Sequence, residues 1–321
     1  MTGSSGHLGE ALVRVLRGRG HEVVGLDLLA SPYTTVTGPV TDRAVVRRCL
    51  AGVGAVVHAA TLHKPHIGSH GRQAFVDTNV SGTLTLLEES VAAGVGSFVF
   101  TSSTSVFGRA LTPLPGGPAT WITEDVTPVP KNIYGVTKAA AEDLCEIIAR
   151  DHGLPVVVLR VARFFPEDDD RDEVRAAYDG ANVKANEYLY RRVDLQDVAD
   201  AHLLALAGAP AIGFGRYIIG ATTPFRPADR AGLGRDAPAV VRRLFPDADA
   251  EYARRGWAMF GVIDRVYVND NARAALGWRP RYDFRMVLDR LKAGQDPRSP
   301  LAQAVGAKGY HAVPTGPYTV R

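Results

Sequence analysis

Thr2-Gly3-Ser4-Ser5-Gly6-His7-Leu8-Gly9 sets three glycines at intervals of three, immediately before a stretch with helical apolar spacing, residues 10–18 (EALVRVLRG). Glycine lets backbone come close to a pyrophosphate, and a helix N-terminus adds N–H donors and the positive end of its dipole. A β-branched run, Glu22 to Leu26, follows and ends at Asp27. A carboxylate at such a strand end accepts hydrogen bonds from a ribose diol and repels a 2′-phosphate. No arginine follows Asp27 closely, so the pattern predicts NAD rather than NADP. A strand is expected before the turn, yet the sequence begins at Met1-Thr2. That strand is central in such a fold, and losing it leaves two unpaired edges inside the sheet. The first strand is therefore expected to be missing, as in a chain that starts late.

Strand-like and helix-like segments alternate through the first half. A helix near 42–51 precedes the strand Ala55–His58; a long helix near 72–93 precedes the strand Ser97–Ser102. A Pro/Gly-rich loop (111–130), a helix from Tyr134 to His152 and the strand Val156–Val161 come next. Continuous apolar strands alternating with helices predict an α/β fold, a Rossmann-type doubly wound parallel sheet covered on both faces. After Arg163 the pattern loosens into an acidic loop (166–172), a mixed helical stretch (173–191), an apolar helix Val198–Ala207 and a strand Arg216–Ile219. Short helices interrupted by Pro and Gly fill 222–290, and residues 291–321 read as an irregular C-terminal tail. The expected organisation is a Rossmann domain over 1–163 with 192–222, and a smaller substrate domain from 164–191 and 223–290.

Composition excludes several classes. The 321 residues carry 37 basic and 34 acidic side chains, a net charge of +3, which makes no electrostatic case for nucleic acid. No apolar run of about 18 residues predicts a membrane span, and no secretory signal is apparent. The two cysteines, Cys49 and Cys145, lie in helix-like stretches and read as packed thiols of a reducing cytoplasm.

Tyr134-Gly-Val-Thr-Lys138 places a phenol and an ammonium one helical turn apart on one face. A phenol with an ordinary pKa near 10 is a poor base at neutral pH. Lys138 and an oxidised nicotinamide, each at ~7 Å and an effective dielectric of about 20, would each contribute roughly 2.4 kcal/mol, or about 1.7 pK units. Together they could bring Tyr134 to about 7 before desolvation opposes them. Upstream, the strand Phe98–Thr101 runs into Ser102-Ser103-Thr104-Ser105-Val106-Phe107-Gly108. A hydroxyl at a strand's C-terminal end stands where α/β ligands bind and can donate to a carbonyl or alkoxide. Asn79, in Asp77-Thr-Asn-Val-Ser-Gly-Thr83, completes the ensemble.

With these residues assembled, the chain resembles the extended short-chain dehydrogenase/reductase family, the NAD-dependent epimerase/dehydratase group, and within it the nucleotide-sugar 4-epimerases. The resemblance runs through Thr2–Gly9, Asp27, His58-Ala-Ala-Thr61, Asn79, Ser102–Gly108, Tyr134–Lys138 and Leu159-Arg160, then Val198–Leu204 and Leu276–Pro280. It implies a catalytic set of Tyr134, Lys138, Ser103, Thr104 and Asn79. It implies NAD contacts from Gly3, Ser5, Gly6, His7, Leu8, Gly9, Asp27, Asp42 (near the adenine), Ala59, Ala60, Thr61, Asn79, Ser102, Tyr134 and Lys138. In this family the helix from Tyr134 to His152 often forms a homodimer face; its apolar positions Ala141, Leu144 and Ile148 could equally be core.

Departures from the family pattern narrow the reaction. Sugar 4,6-dehydratases carry Asp-Glu where this chain has Thr104-Ser105, and the sugar-acid decarboxylases keep a glutamate at the Ser105 position. Small or hydroxyl residues there are similar to the 4-epimerases. Arg163 stands where many nucleotide-sugar enzymes have Asn, and Arg191-Arg192-Val-Asp194 replaces the usual elements before the Val198 helix. Lys64, Ser103, Ser105, Arg163, Arg192 and Arg265 are the candidate substrate contacts, the arginines as bidentate partners for an anion. His63, His66 and His70 have spacings that could ligate zinc, but Pro65 and Gly68 break a helix there, so no metal is expected. Glu167-Asp-Asp-Asp170 reads as a solvated loop beside Arg171. The expected activity is epimerisation of a sugar or nucleotide-sugar through transient oxidation by bound NAD. A dehydrogenase of a sugar, sugar acid or related alcohol that releases NADH is the alternative, and a non-catalytic NAD sensor the third.

Overall fold

The computed structural model describes residues 1–169 and 171–308. Eight short strands, all paired in parallel, organise it: β1 (Leu26–Asp27), β2 (Val36–Thr37), β3 (Ala55–His58), β4 (Ser97–Ser103), β5 (Thr120–Ile122), β6 (Val156–Val161), β7 (Phe214–Ile219) and β8 (Arg265–Tyr267). The order β3-β4-β6-β7 forms one block and β1-β2 another. Val, Ile, Leu and Phe fill the central strands because helices cover both faces. One apolar cluster joins Leu8 and Leu12 to Val99, Val157, Val198 and Trp278; another, on the opposite face, joins Leu26, Val46, Phe98, Phe100 and Ile148. This is the α/β, parallel, Rossmann-type architecture that the alternating sequence pattern implies.

Met1–Gly3 occupies the place expected of the first strand. Thr2 bridges Leu26 on one side and His58 on the other. Leu26 N–H donates to the Met1 carbonyl (2.8 Å), Thr2 N–H to the Val57 carbonyl (3.0 Å) and Gly3 N–H to the Leu26 carbonyl (2.8 Å). The two blocks are thus stitched together at residue 2, where unpaired edges were expected. Of the run that ends at Asp27, only Leu26–Asp27 enters a ladder with a neighbouring strand, paired with Val36–Thr37.

Three further expectations are corrected. The long helix near 72–93 is Arg72–Phe75, a π-helical turn over Val76–Ser81, and then Gly82–Ala92. The loop 111–130 contains β5, and the helical region 222–290 contains β8, which pair with each other. The tail expected to be irregular is ordered to residue 308: Leu291 and Lys292 close the helix Phe284–Lys292, and Pro300–Val305 is helical with Ser299 as its cap. Residues 309–321 of that tail lie outside the described residues. A separate core, with Leu189, Val241, Tyr252, Val266, Phe284 and Leu288, gathers the C-terminal segments around the β5–β8 pair. Among the described residues no helix is long and apolar enough to cross a membrane. Ala141 and Ile148 are buried against the chain's own sheet, so core packing accounts for them; Val136 and Ile147 are the exposed apolar residues of that helix.

Candidate active site

A cleft of about 1520 Å³ runs from the glycine turn, past the C-terminal ends of the parallel strands, to the segments around Phe164, Arg191 and Arg265. Its position follows from topology, since βα loops open at the carboxyl ends of the strands. At one end the turn is built for close backbone approach. Gly3 has φ +69°, and a Cβ there would lie 2.7 Å from the Ala60 nitrogen; a Cβ on Gly9 would lie 1.8 Å from the Gly3 oxygen. The helix His7–Gly18 starts directly from this turn. Asp27, in the same cleft, accepts from Ser5 N–H (2.9 Å) and Leu29 N–H (3.0 Å). This tight turn, helix start and strand-end carboxylate fit a dinucleotide with a free ribose diol. Ala59, Ala60 and Thr61, at the end of β3, line the cleft as well.

Asp42 stands apart from this set. Its carboxylate caps the helix Arg43–Leu50, accepting from Ala44 and Val45 N–H. Gly38, Pro39, Val40 and Thr41 form the cleft wall beside it. A residue committed to capping orphan N–H groups points along its own helix.

Tyr134 lies in the first turn of the helix Ile133–His152, whose N-cap Asn132 accepts from Gly135 N–H at 3.0 Å. Ser103 closes β4, and its Oγ accepts from Ser105 N–H at 3.1 Å. Ser103 and Tyr134 both line the cleft. Thr104 and Ser105 line the same cleft, in the 3₁₀ turn that follows. Burial pushes the Tyr134 phenol up to about 12, with the smaller influence of the Ser103 hydroxyl opposing it. Desolvation therefore dominates Tyr134 in the chain alone, and it is the effect expected to oppose the attraction of the two cations.

Lys138 is 2% exposed. Its Nζ donates to the Thr101 carbonyl at 2.7 Å and stands 4.5 Å from the centre of the Phe100 ring. Burial draws its pKa down to about 7, against the smaller raising effects of Cys145 and Glu142. Glu142 is itself held by Arg160 (2.8 Å) and accepts a hydrogen bond from Ser102 Oγ at 2.5 Å. Ser102, which also lines the cleft, therefore ties β4 to the Tyr134 helix.

Asn79 does not line the cleft; the π-helical turn aims its amide elsewhere. Thr61 Oγ1 (2.9 Å) and Leu62 N–H (2.8 Å) donate to its oxygen, while its nitrogen donates to the Leu62 carbonyl (2.8 Å) and Thr137 Oγ1 (3.0 Å). Three of these bonds hold the loop after β3 and the fourth reaches Thr137 in the helix carrying Tyr134. Asn79 is thus a positioning residue rather than one that touches the reacting atoms.

The far end of the cleft is cationic. Arg163 bonds Asp169 (2.5 Å) and Glu187 (2.8 Å), and Arg191 pairs with Glu187 at 2.9 Å. The acidic stretch expected to be solvated is drawn inward: Glu167 and Asp169 are buried, and Arg163 and Arg191 help hold the Asp169 carboxyl at about 2 against the opposing effect of burial. Asp170 of that stretch lies outside the described residues. Lys64 lines the cleft, and burial, then the Arg163 and Lys131 charges, lower its pKa to about 8. Arg265 also lines it and donates to the carbonyls of Gly108 and Ala110, both at 3.2 Å. Arg192 is buried away from the cleft, bonded to Glu187 (2.7 Å) and the Phe165 carbonyl, so it supports the wall from behind. Arg191 and Arg171, which the candidate substrate set omitted, line the cleft. The doubled arginine at 191–192 was a visible signal, but nothing in it said which of the two faced inward.

His63 and His66 pack edge to face, with His63 stacked on Phe165 at 5.5 Å. His66 Nδ1 accepts the His63 N–H at 3.0 Å. No group of three metal-ligating side chains occurs among the described residues.

The profile of the NAD dependent epimerase/dehydratase family matches residues 1–220. A dTDP-glucose 4,6-dehydratase of Streptomyces antibioticus is 33% identical over 268 residues, 78% of this chain and 72% of its own. A UDP-glucose 4-epimerase of Rhizobium meliloti (strain 1021) is 25% identical over 334 residues, 90% of this chain and 94% of its own. In fold, the chain is similar to a short-chain dehydrogenase/reductase superfamily protein of Agrobacterium tumefaciens with bound NAD, with a TM-score of 0.64, 23% identity, and 91% and 95% of the two chains covered. With its glycine turn, strand-end aspartate and Tyr-Lys-Ser set placed on that fold, this chain belongs to the NAD-dependent epimerase/dehydratase family.

Proposed function

We propose that this chain is an NAD-dependent epimerase of an anionic sugar, with a nucleotide-sugar as the favoured substrate class. The observation that carries the reading is that Tyr134, Ser103 and Lys138 line one cleft, with hydroxyls instead of carboxylates at Thr104 and Ser105. Gly3, Gly6 and Gly9 would let the turn take the pyrophosphate of NAD, Asp27 its ribose diol, and Lys138 the nicotinamide ribose. NAD, when bound, supplies a reversible hydride acceptor and a positive charge.

In this reading Tyr134 Oη takes the proton of a substrate hydroxyl, and Ser103 Oγ donates to the oxygen that becomes a carbonyl. Lys138 stabilises the phenolate electrostatically, since a cation close by favours the ionised form. The ketone then presents its other face, and the proton returns from Tyr134. No carboxylate stands at residues 104 and 105 to carry an elimination. Arg163, Arg191 and Arg265 support an anionic substrate, because a guanidinium fork matches phosphate and carboxylate oxygens. The same cationic wall also favours a second reading, net oxidation of an acidic sugar with release of NADH.

Purified protein incubated with UDP-glucose, UDP-galactose and UDP-glucuronic acid, each with NAD, separates the two. Epimer interconversion by NMR without net absorbance at the NADH band is expected. Steady NADH accumulation would replace the epimerase reading with the dehydrogenase.

A further inference from the structure

We propose that Lys308, delivered by the C-terminal segment, is a pyrophosphate-binding residue of the cofactor site, acting together with His7 at the glycine turn. The inference rests on the reading that this cleft takes NAD.

The segment that carries Lys308 is docked firmly. Ser299 N–H donates to Asp194 Oδ2 at 3.0 Å, and Ser299 Oγ accepts from Ala302 N–H at 3.0 Å to start the helix Pro300–Val305. Val305 lies in the same apolar cluster as Leu8 and Leu12 of the helix that leaves the glycine turn. Gly306, with φ +63°, then redirects the chain. Lys308 arrives in the cleft that Gly3, Gly6 and Gly9 also line, and its ammonium bonds Glu10.

A second observation at the same place calls for a ligand. His7 is 4% exposed and lines the cleft, yet its Nδ1 has no hydrogen-bond partner. The rings of Phe164 and Phe165, each 5.8 Å away, pack around it. Burial first, then the Lys308 charge, lowers the His7 pKa to about 4, so the imidazole is neutral and Nδ1–H can be a donor. A buried polar nitrogen without a partner is uncommon in a native structure and marks a place where another group belongs.

The chemistry at this point suits a multiply charged oxyanion. The N–H groups of the first helical turn and its dipole favour negative charge. Lys308 adds a flexible point charge. Glu10 does not cancel it, because the same carboxylate also accepts from Arg14 Nε at 2.8 Å. A diphosphate could come from NAD or from a nucleotide-sugar. The contact with Glu10, in the first turn of the helix that leaves the glycine turn, places Lys308 at that end of the cleft, so the cofactor is the assigned source.

Calorimetric titration of the full chain with NAD and with ADP-ribose, and of the NAD-loaded chain with UDP-glucose, tests this. Lys308→Ala should weaken NAD and ADP-ribose five- to twenty-fold and flatten the salt dependence of binding, with UDP-glucose unchanged. Lys308→Arg should stay within about two-fold, and Glu10→Gln should bind NAD as well as or better than the parent. NAD binding unchanged in Lys308→Ala overturns the assignment. So does a loss confined to UDP-glucose, which would make Lys308 a substrate residue. Equal weakening by Glu10→Gln and Lys308→Ala would reduce Lys308 to a docking contact and overturn it too. Failure of the parent chain to bind NAD or ADP-ribose at all overturns the cofactor reading itself, a result distinct from the other three.

Discussion

Lys138 Nζ donates a 2.7 Å hydrogen bond to the carbonyl oxygen of Thr101, the third residue from the end of the strand that carries Ser103. This bond fixes the ammonium at the cleft and joins the helix that carries Tyr134 to the strand that carries Ser103. It also keeps a charge buried, which burial itself opposes.

Lys138→Met should therefore separate stability from activity. The folded pKa of Lys138 lies far below its ordinary value, so its stability contribution is full only above pH 10.5 and is lost as pH falls toward 7. Removing the ion at pH 7 should raise unfolding free energy by about 1–4 kcal/mol. Turnover should fall by at least about 10². Denaturant melts and initial rates on one preparation decide it; a destabilised variant would contradict the assigned cost of burial.

Tyr134→Phe removes the proton carrier and keeps the ring. Turnover should drop by about 10²–10⁴, with NAD affinity held within a few-fold. Near-normal turnover would place the proton transfer on another residue.

Ser103→Ala should cost about 10² in kcat with KM little changed, because its bond matters most as charge develops on the substrate oxygen. Ser103→Thr should recover much of the loss. A change confined to KM would make Ser103 a binding residue only.

Asn79→Ala leaves Leu62 N–H without its partner and the Leu62 carbonyl with the Thr61 hydroxyl alone, which should lower stability by about 1–3 kcal/mol. Because the clamp reaches Thr137 beside Lys138, kcat should fall as well, and its pH profile should shift. An unchanged profile would leave Asn79 with a structural role alone.

Acid should destabilise the chain through buried histidines, His58 and His202 together with His7. Burial first, then the Lys138 charge, lowers His58 to about 3; burial lowers His202 to about 4, opposed by its hydrogen bond to the Val198 carbonyl. The unfolded chain binds these protons near pH 6.5 and the folded chain does not. Stability is therefore full above pH 6.5 and declines as pH falls, by roughly 2 kcal/mol per histidine at pH 5. Denaturant melts from pH 8 to 5 should show this slope, and His202→Gln should flatten it.

How much was legible in the sequence differs from residue to residue for physical reasons. The placement of Gly3, Gly6 and Gly9 in a turn before a helix, of Asp27 at a strand end, and of Tyr134 one turn before Lys138 was readable because each follows from local backbone geometry. Apolar strands alternating with helices were readable because burial on both faces imposes that pattern. Asn79, Asp42 and Arg192 could be flagged but not placed, since their orientation is set by a π-helical turn, a helix cap and a buried ion pair. The β5–β8 pair was invisible: three-residue strands far apart in sequence carry no periodicity of their own. By itself, then, the sequence determined the fold class, the family and the NAD cofactor, and it singled out Tyr134, Lys138 and Ser103 as candidates for the chemistry. Only the tertiary structure decided which arginines face the cleft, where Met1–Gly3 completes the sheet, and that the C-terminal segment brings Lys308 to the glycine turn. Those depend on contacts between residues as distant as Glu10 and Lys308, and no local propensity encodes such a meeting.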